Sequence, residues 1–440
     1  MGYLQYKELE SSGIAWLQKT PSHWRVKRLK FLTNLVNNKV SVEDSPLPYL
    51  GLEHIESWTG RKIDGEISNS EGLASSFSVG DILFGKLRPY LAKVHLAERD
   101  GLISSEALVI RSKDDLHAEF LKYYMLSRDF INIVDSSTYG SKMPRASWDF
   151  IGNLPVLLPE LDEQKNIARF LDFKTAQIDA LIAKKKTLLE KLVEKRIAFI
   201  SNAVTKGLDS LVEMKESGAA WLGKIPKHWD AKRLKFVVSE PLKYGANEAA
   251  ELTDSELPRY IRITDVNDDG SLREDTFRSL PEDIAFDYLL SDGDILLARS
   301  GATVGKSFIY KPSWGVAAYA GYLIRARMSE VMNADFAYLF FQSSCYWQWL
   351  SSVFIQATIQ NVSAEKYANL VVPVPPVKEQ LAIVSELLAQ LKKIDVQRQY
   401  ASLAVERLFE YRSSLITHAV TGKIDVRGFK VPQFNGEMAS

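Results

Sequence analysis

The chain has 440 residues, 46% of them hydrophobic and 25% charged, an ordinary globular composition that leaves room for roughly two to three domains with real cores. Its one cysteine, Cys345, excludes disulfide staples and Cys-based zinc sites, suits a reducing compartment and reads as a buried small hydrophobe. Lys plus Arg, 55, balance Asp plus Glu, 55, so the whole molecule steers nucleic acid weakly, and any such binding must come from local clusters or from a partner's charges.

The opening segment MGYLQYKELESSG lacks the basic start and apolar core of a secretory signal, and no apolar run approaches the roughly 20 residues of a membrane span. A soluble cytoplasmic protein is expected. The next block, SGIAWLQKTPSHWRVKRLKF from Ser12 to Phe31, returns as SGAAWLGKIPKHWDAKRLKF from Ser217 to Phe236. Further blocks recur in the same order: PYLGLEHI with PRYIRITDV, VGDILF with DGDILL, and LPELDEQKNIARFLDFKTAQID with VPPVKEQLAIVSELLAQLKKID. One long period used twice is domain duplication rather than a solenoid.

In the first copy, YLGLEHI, DILFGKL and EALVIRS have the length and composition of strands, and AEFLKYYMLSRDFINIV that of a helix buried on one face. After Pro159 a helical pattern runs for roughly 45 residues, with Glu160, Asp162 and Glu163 suited to the positive end of a helix. Its predicted seam is Ala168, Leu171, Thr175, Ile178, Ile182, Lys185, Leu189, Leu192, Arg196, Phe199 and Ala203. The second copy repeats the plan: strands in RYIRITDV, DILLARS and GYLIRARM, a helix in ADFAYLFFQSSCYWQWLSSVF, and a second long helix after Pro376. Its seam is Val384, Leu387, Leu391, Ile394, Arg398, Ala401, Val405, Leu408, Arg412, Leu415 and Ala419. Stripes of this length predict a coiled coil, with Arg196 and Arg412 needing partners on the seam.

These patterns predict mixed α/β modules, two copies, joined by two long helices that pack as an antiparallel coiled coil in a pseudo-two-fold arrangement, each helix ~67 Å long at 1.5 Å per residue. The alternative is a helix hairpin packed on a globular enzyme. The expected boundaries are a first module at 1–158, a helical region at 159–207, a second module at 208–374, a second helical region at 375–425 and a tail at 426–440. TKGLD after the first helix is echoed by TGKID after the second, so the unit that would follow the second helix is the one at the N-terminus.

Catalytic constellations are not visible in the sequence. Ser300 to Ser307 resembles a P-loop but has three residues between its glycines, where four are required. Glu163-Gln164-Lys165 faintly resembles a nuclease pattern, yet the second copy has Leu381 in place of the lysine, so capping of the helix explains both copies better. The six histidines lack metal-ligand spacing, and His23-Trp24 with His228-Trp229 read as a duplicated structural contact. Neither an Asp/Asn-Pro-Pro-aromatic tetrapeptide nor a GxGxxG after a strand offers a seat for methyl transfer or a dinucleotide.

The duplicated SGxAWLxKxPxHW…KRLKF blocks, the GDIL blocks, the PELDEQ and PPVKEQ helix starts and the run RFLDFKTAQIDALIAKKKTLLEKLVEKRIAFISNAVTKGLD resemble the specificity subunit of type I restriction-modification systems, from Ser12 to about Asp425. The resemblance implies two target-recognition domains joined by helical conserved regions, no catalytic residues and no cofactor in this chain. It also implies double-stranded DNA as ligand. The implied protein partners are two methyltransferase subunits using S-adenosylmethionine and restriction subunits using ATP and Mg2+. The copies diverge at GDILFGKLRPYLAKV against GDILLARSGATVGKS and at YGSKMPRASWDF against QATIQNVSAEKY, which predicts two unlike half-sites. Base and phosphate contact needs cations, amides and hydroxyls on loops. That selects Lys86, Arg88, Tyr90, Tyr139, Lys142 and Arg145 in the first copy and Arg299, Ser300, Thr303, Lys306, Gln360 and Asn361 in the second. A stand-alone DNA-binding or adaptor protein of the same architecture is the alternative, distinguished by binding its site without partners.

Overall fold

The computed structural model describes residues 3–63, 65, 72–140, 142–267, 270–301, 303–355 and 361–432. The chain divides into two compact units, Met1–Lys186 with Ser402–Ser440, and Thr187–Ala401. Each unit holds one copy of the repeat plus part of each long helix.

In the first unit an antiparallel sheet runs in the order Thr33–Val36, Ala107–Ser112, Ile82–Gly85, Val94–Leu96. The predicted strand DILF is apolar without alternation because this sheet is covered on both faces. Successive side chains point to opposite faces, so Ile82, Phe84, Leu108 and Ile110 enter the core shared with the helices, whereas Leu83, Ala107 and Val109 enter a smaller core. A second sheet, Lys39–Ser41, Leu73–Phe77, Gly101–Ser104, Tyr49–Leu50, is antiparallel except for its last pair. Arg25–Arg28 pairs with Pro155–Leu158, bringing the repeated KRLKF block against the strand that leads into the long helix.

The second unit repeats this logic. Its sheet is Lys243–Tyr244, Leu323–Ala326, Ile295–Ala298, Ser307–Ile309, with Ile295 and Leu297 in one core and Leu296 and Ala298 in another. Arg259–Ile261 pairs in parallel with Ala317–Tyr319, and Asp230–Arg233 antiparallel with Val371–Val374.

Several expectations need correction. The strands expected in YLGLEHI and RYIRITDV stop early, at Leu50 and Ile261, and turn into short 3-10 segments. Each module's helix is two helices: Ala118–Leu126 and Arg128–Ser136 in one unit, Ala334–Phe340 and Ser344–Ile355 in the other. A serine sits at each break and competes for the backbone, Ser127 Oγ donating to the Tyr124 carbonyl at 2.6 Å and Ser343 Oγ to the Phe340 carbonyl at 2.7 Å. Cys345 is half-buried at the edge of the second core, and burial raises its thiol pKa.

The long helices span Leu161–Lys206 and Val377–Val420. Gly207 (φ 78°) and Gly422 (φ 72°) follow their last turns in the left-handed conformation that glycine adopts without strain. In the first unit Ile167, Phe170, Leu171, Ile178 and Ile182 share a core with Leu415, Ile416, Ala419 and Val420. There Asp179 faces Arg412, while Lys186, further along the first helix, lies over Phe409, earlier in the second, so the two run in opposite directions. In the second unit Ile200 and Val204 share a core with Ile383, Val384, Leu387 and Leu391. The predicted seam holds except at Phe199, which is 40% exposed while Ile200 is fully buried. A period of 3.6 drifts against the strict 3.5 repeat, and by the end of the helix the apolar face has moved by one residue.

Candidate nucleic-acid interface

The loops chosen from the sequence lie side by side in each unit. In the first, the backbone after Ile82–Gly85 is held by three bonds: Gly85 N–H to the Lys93 carbonyl (2.9 Å), Lys86 N–H to the Glu106 carbonyl (2.9 Å) and Ala146 N–H to the Lys86 carbonyl (3.0 Å). In the second the same frame recurs as Ala298 N–H to Lys306 (2.9 Å), Arg299 N–H to Tyr322 (3.0 Å) and Val362 N–H to Arg299 (2.9 Å). Single bridges complete it, Leu87 with Arg145 and Tyr139 with Arg145 in one unit, Ser300 with Asn361 in the other. One backbone scaffold therefore presents Lys86, Glu106 and Arg145 in the first unit and Arg299, Tyr322 and Asn361 in the second.

A buried carboxylate fixes the strand entering each frame. Asp81 accepts from Ser78 N–H at 2.8 Å and from the Arg111 fork at 2.7 and 2.8 Å. Asp294 accepts from Ser291 N–H at 2.8 Å and from the Arg327 fork at 2.7 Å through both nitrogens. The GDIL aspartate is thus a turn lock, and bidentate charge-assisted bonds of this kind add orientation as well as energy.

Around the first frame Arg88 is exposed with φ 50°, its N–H bonded to the Pro144 carbonyl at 2.8 Å, and Tyr90, Tyr139 and Lys142 are exposed beside it. Arg145 is committed to Glu106 by bonds of 2.9 and 3.2 Å, and this guanidinium holds the Glu106 carboxyl below the usual carboxylate range. Around the second frame the Arg299 guanidinium stacks on Tyr244 at 4.6 Å and its Nε approaches Asn361 Oδ1 at 3.4 Å. Tyr244 is positioned in turn by accepting the Ala364 N–H at 2.9 Å. Ser300 and Thr303 are half-buried in the turn, where the Thr303 carbonyl accepts Lys306 N–H at 3.0 Å. Gln360 lies outside the described residues. Sequence reasoning missed Glu106, Tyr244 and Tyr322, which reach the frame through strand pairing rather than through spacing.

The sequence decoys prove to be structural contacts. His23 Nε2 bonds Glu163 at 2.9 Å, and His228 Nε2 bonds Glu379 at 2.8 Å. Gln164, fully buried, donates to the Asp115 and Pro159 carbonyls at 3.0 and 2.9 Å and accepts His117 N–H at 2.8 Å. Gln380 does the same with Val331, Pro375 and Asn333 N–H at 2.9, 2.8 and 2.7 Å. The Glu of each Glu-Gln pair lies in the first turn of its helix as expected, and the Gln beside it is also a long-range clamp. Arg412, buried on the seam, pairs with Asp179 at 2.9 Å, whereas Arg196 reaches Gln342 at 2.9 Å and Asp395 at only 3.8 Å. Among the described residues no group of three or more His, Cys, Asp or Glu could hold a metal ion, and no helix is long and apolar enough to cross a membrane.

Comparison with known proteins places this architecture. A chain from a structure described as the basis of complex assembly and conformational transition of the type I R-M system superposes with a TM-score of 0.73 at 17% identity, covering 92% of this chain and 99% of that one. The EcoDI specificity subunit of Escherichia coli is 28% identical over 54% of this chain, though the match spans about half (49%) of that relative's length. The MjaVIII specificity subunit of Methanocaldococcus jannaschii is 24% identical over 93% of this chain and 95% of its own. The family model described as type I restriction modification DNA specificity domain matches twice, at residues 21–191 and 226–401, so more than half of the sequence is covered and the chain belongs to the family of type I restriction-modification DNA specificity subunits.

Proposed function

We infer that this chain is the non-catalytic DNA-recognition subunit of a type I restriction-modification complex, reading an asymmetric bipartite site with one module per half. On this reading residues 1–158 and 208–374 are the target-recognition domains. Residues 159–207 and 375–425 are the helical regions, pairing as an antiparallel coiled coil with pseudo-two-fold symmetry, and 426–440 is a tail. The chain scaffolds two methyltransferase subunits, which bring S-adenosylmethionine, and restriction subunits, which bring ATP and Mg2+, and it acts in the cytoplasm.

The observation that supports this reading most is the shared frame with unlike side chains. A scaffold common to both modules sets the reach of the loop, and its variable positions set what is recognised. Lys86, Arg88 and Lys142 offer donors beside a Glu106 carboxylate that Arg145 holds in place, whereas Arg299, Asn361 and the tyrosines offer a planar fork, an amide and stacking faces. Arg suits guanine, Asn suits adenine and a carboxylate suits the cytosine amine, so the two modules are equipped for different sequences.

The test is to purify the chain assembled with its methyltransferase subunits and map N6-methyladenine in DNA exposed to the complex. A bipartite, asymmetric adenine motif is expected, lost when the chain is omitted. Methylation without such a motif, or specific binding by the chain alone at full affinity, refutes the reading.

A further inference from the structure

Among the described residues three non-glycine positions have positive φ: Trp58 at 65°, Arg88 at 50° and Ala92 at 47°. A bulky L-residue in this region persists only where its surroundings over-determine it, and such strain concentrates at sites where it is used. All three belong to the first unit and lie on one bonded path. The buried Arg412 of the second long helix donates through Nη1 to the Trp58 carbonyl at 2.8 Å, while its Nε holds Asp179 of the first long helix at 2.9 Å. Asp179 is also bonded by Arg61, three residues beyond Trp58, so the Trp58–Arg61 turn is gripped at two points. Trp58 N–H donates to the Ala92 carbonyl at 3.2 Å, Ala92 N–H to the Pro89 carbonyl at 2.8 Å and Leu91 N–H to the Arg88 carbonyl at 3.0 Å. Arg88, at the far end, opens the loop against Pro144.

We propose that Arg412 is a positioning residue for DNA reading: with Asp179 it anchors the strained Trp58 turn and so sets the Arg88–Ala92 loop of the first module. Its counterpart Arg196 spends its guanidinium on Gln342 and Asp395, and the described second unit has no non-glycine residue of positive φ. The coupling therefore belongs to one half-site. The guanidinium fork is required because it bonds a carboxylate and a backbone carbonyl at once, which a lysine ammonium cannot do with the same geometry.

This inference rests on the proposed function, and one assay separates their failures. The assembled complex, with wild-type chain, Arg412→Lys, Asp179→Asn or Arg88→Ala, is assayed for methylation of DNA libraries randomised in one half-site at a time. Arg88→Ala marks the base pairs read by the first module. Arg412→Lys, and Asp179→Asn as a same-sized second variant, are expected to relax discrimination about tenfold at those base pairs and to leave the other half-site unchanged. Equal loss at both half-sites, or unchanged discrimination in a complex with a lowered melting temperature, overturns the positioning role. A wild-type complex that discriminates at neither half-site overturns the proposed function itself, and the positioning role with it.

Discussion

Arg299→Lys isolates shape from charge in the second module. Arg299 is held by the stack on Tyr244 at 4.6 Å and by Asn361 at 3.4 Å, which pre-orient a planar fork that lysine lacks. A bidentate contact to a base is worth about 1–3 kcal/mol of discrimination, and a cation–π contact at a partly exposed site about 0.5–1 kcal/mol. Since the stack acts mainly by pre-orienting the fork, the two do not add fully, and a loss near 2 kcal/mol, roughly 30-fold at one base pair, is expected. Lysine keeps the charge, so the slope of log K against log salt, about 0.9 per neutralised phosphate, should not change. Binding titrations of the assembled complex on cognate and single-substituted sites, at several salt concentrations, measure both quantities. Unchanged discrimination with Arg299→Lys, together with a uniform loss and a slope reduced by about 0.9 with Arg299→Met, would assign the residue to a phosphate and refute base reading.

Other consequences follow from the packing. Gln164→Leu leaves two carbonyls and one amide at the helix start without their partner, which predicts a loss of about 3–5 kcal/mol and a clear drop in melting temperature; a change below about 1 kcal/mol would mean that water replaces the clamp. Asp81→Asn should cost more than Asp294→Asn, because Arg327 keeps a second carboxylate in Glu240 at 2.9 Å; with the guanidiniums partly solvated, about 1–2 kcal/mol is expected for Asp81, and the opposite order in denaturant titrations would contradict the lock. Burial, followed by Lys423, depresses the pKa of His418 below its ordinary value of 6.5. The unfolded chain then binds the proton more tightly, so the stability held above pH 6.5 is lost as pH falls through the lower folded-state pKa, and His418→Gln should flatten that part of the melting profile.

Much of the architecture is legible in the sequence because it is periodic or repeated. The long helices announce themselves by an apolar stripe, and the need of seam arginines for partners is visible in the same register, with Arg412 meeting Asp179 in the first unit. The frame of the interface is legible only by halves. Lys86 and Arg299 stand in obvious divergent blocks, but Arg145 is satisfied by Glu106, 39 residues earlier, and Arg299 stacks on Tyr244 from a separate strand. Strand pairing makes those meetings, and linear spacing does not encode them. Ser127 and Ser343 likewise look like ordinary helix residues until their hydroxyls are seen bonded to the preceding turn.

Placing the charges also changes the meaning of neutrality. The balance of 55 cations and 55 carboxylates leaves the whole molecule without a strong field for DNA, and Arg111, Arg327, Arg145 and Arg412 all serve carboxylates of the same fold. They build the frame, while Arg88 and Lys142 stay exposed at its edge. Non-specific affinity for DNA grows with the number of phosphates neutralised, and it grows for every sequence alike. With Arg145 at its loop spent on Glu106, the first module gains less from wrong sites, so a larger share of its binding energy comes from base edges. Phosphate contact can then be supplied by the methyltransferase subunits of the proposed complex, which leaves each module of this chain to discriminate rather than merely to hold.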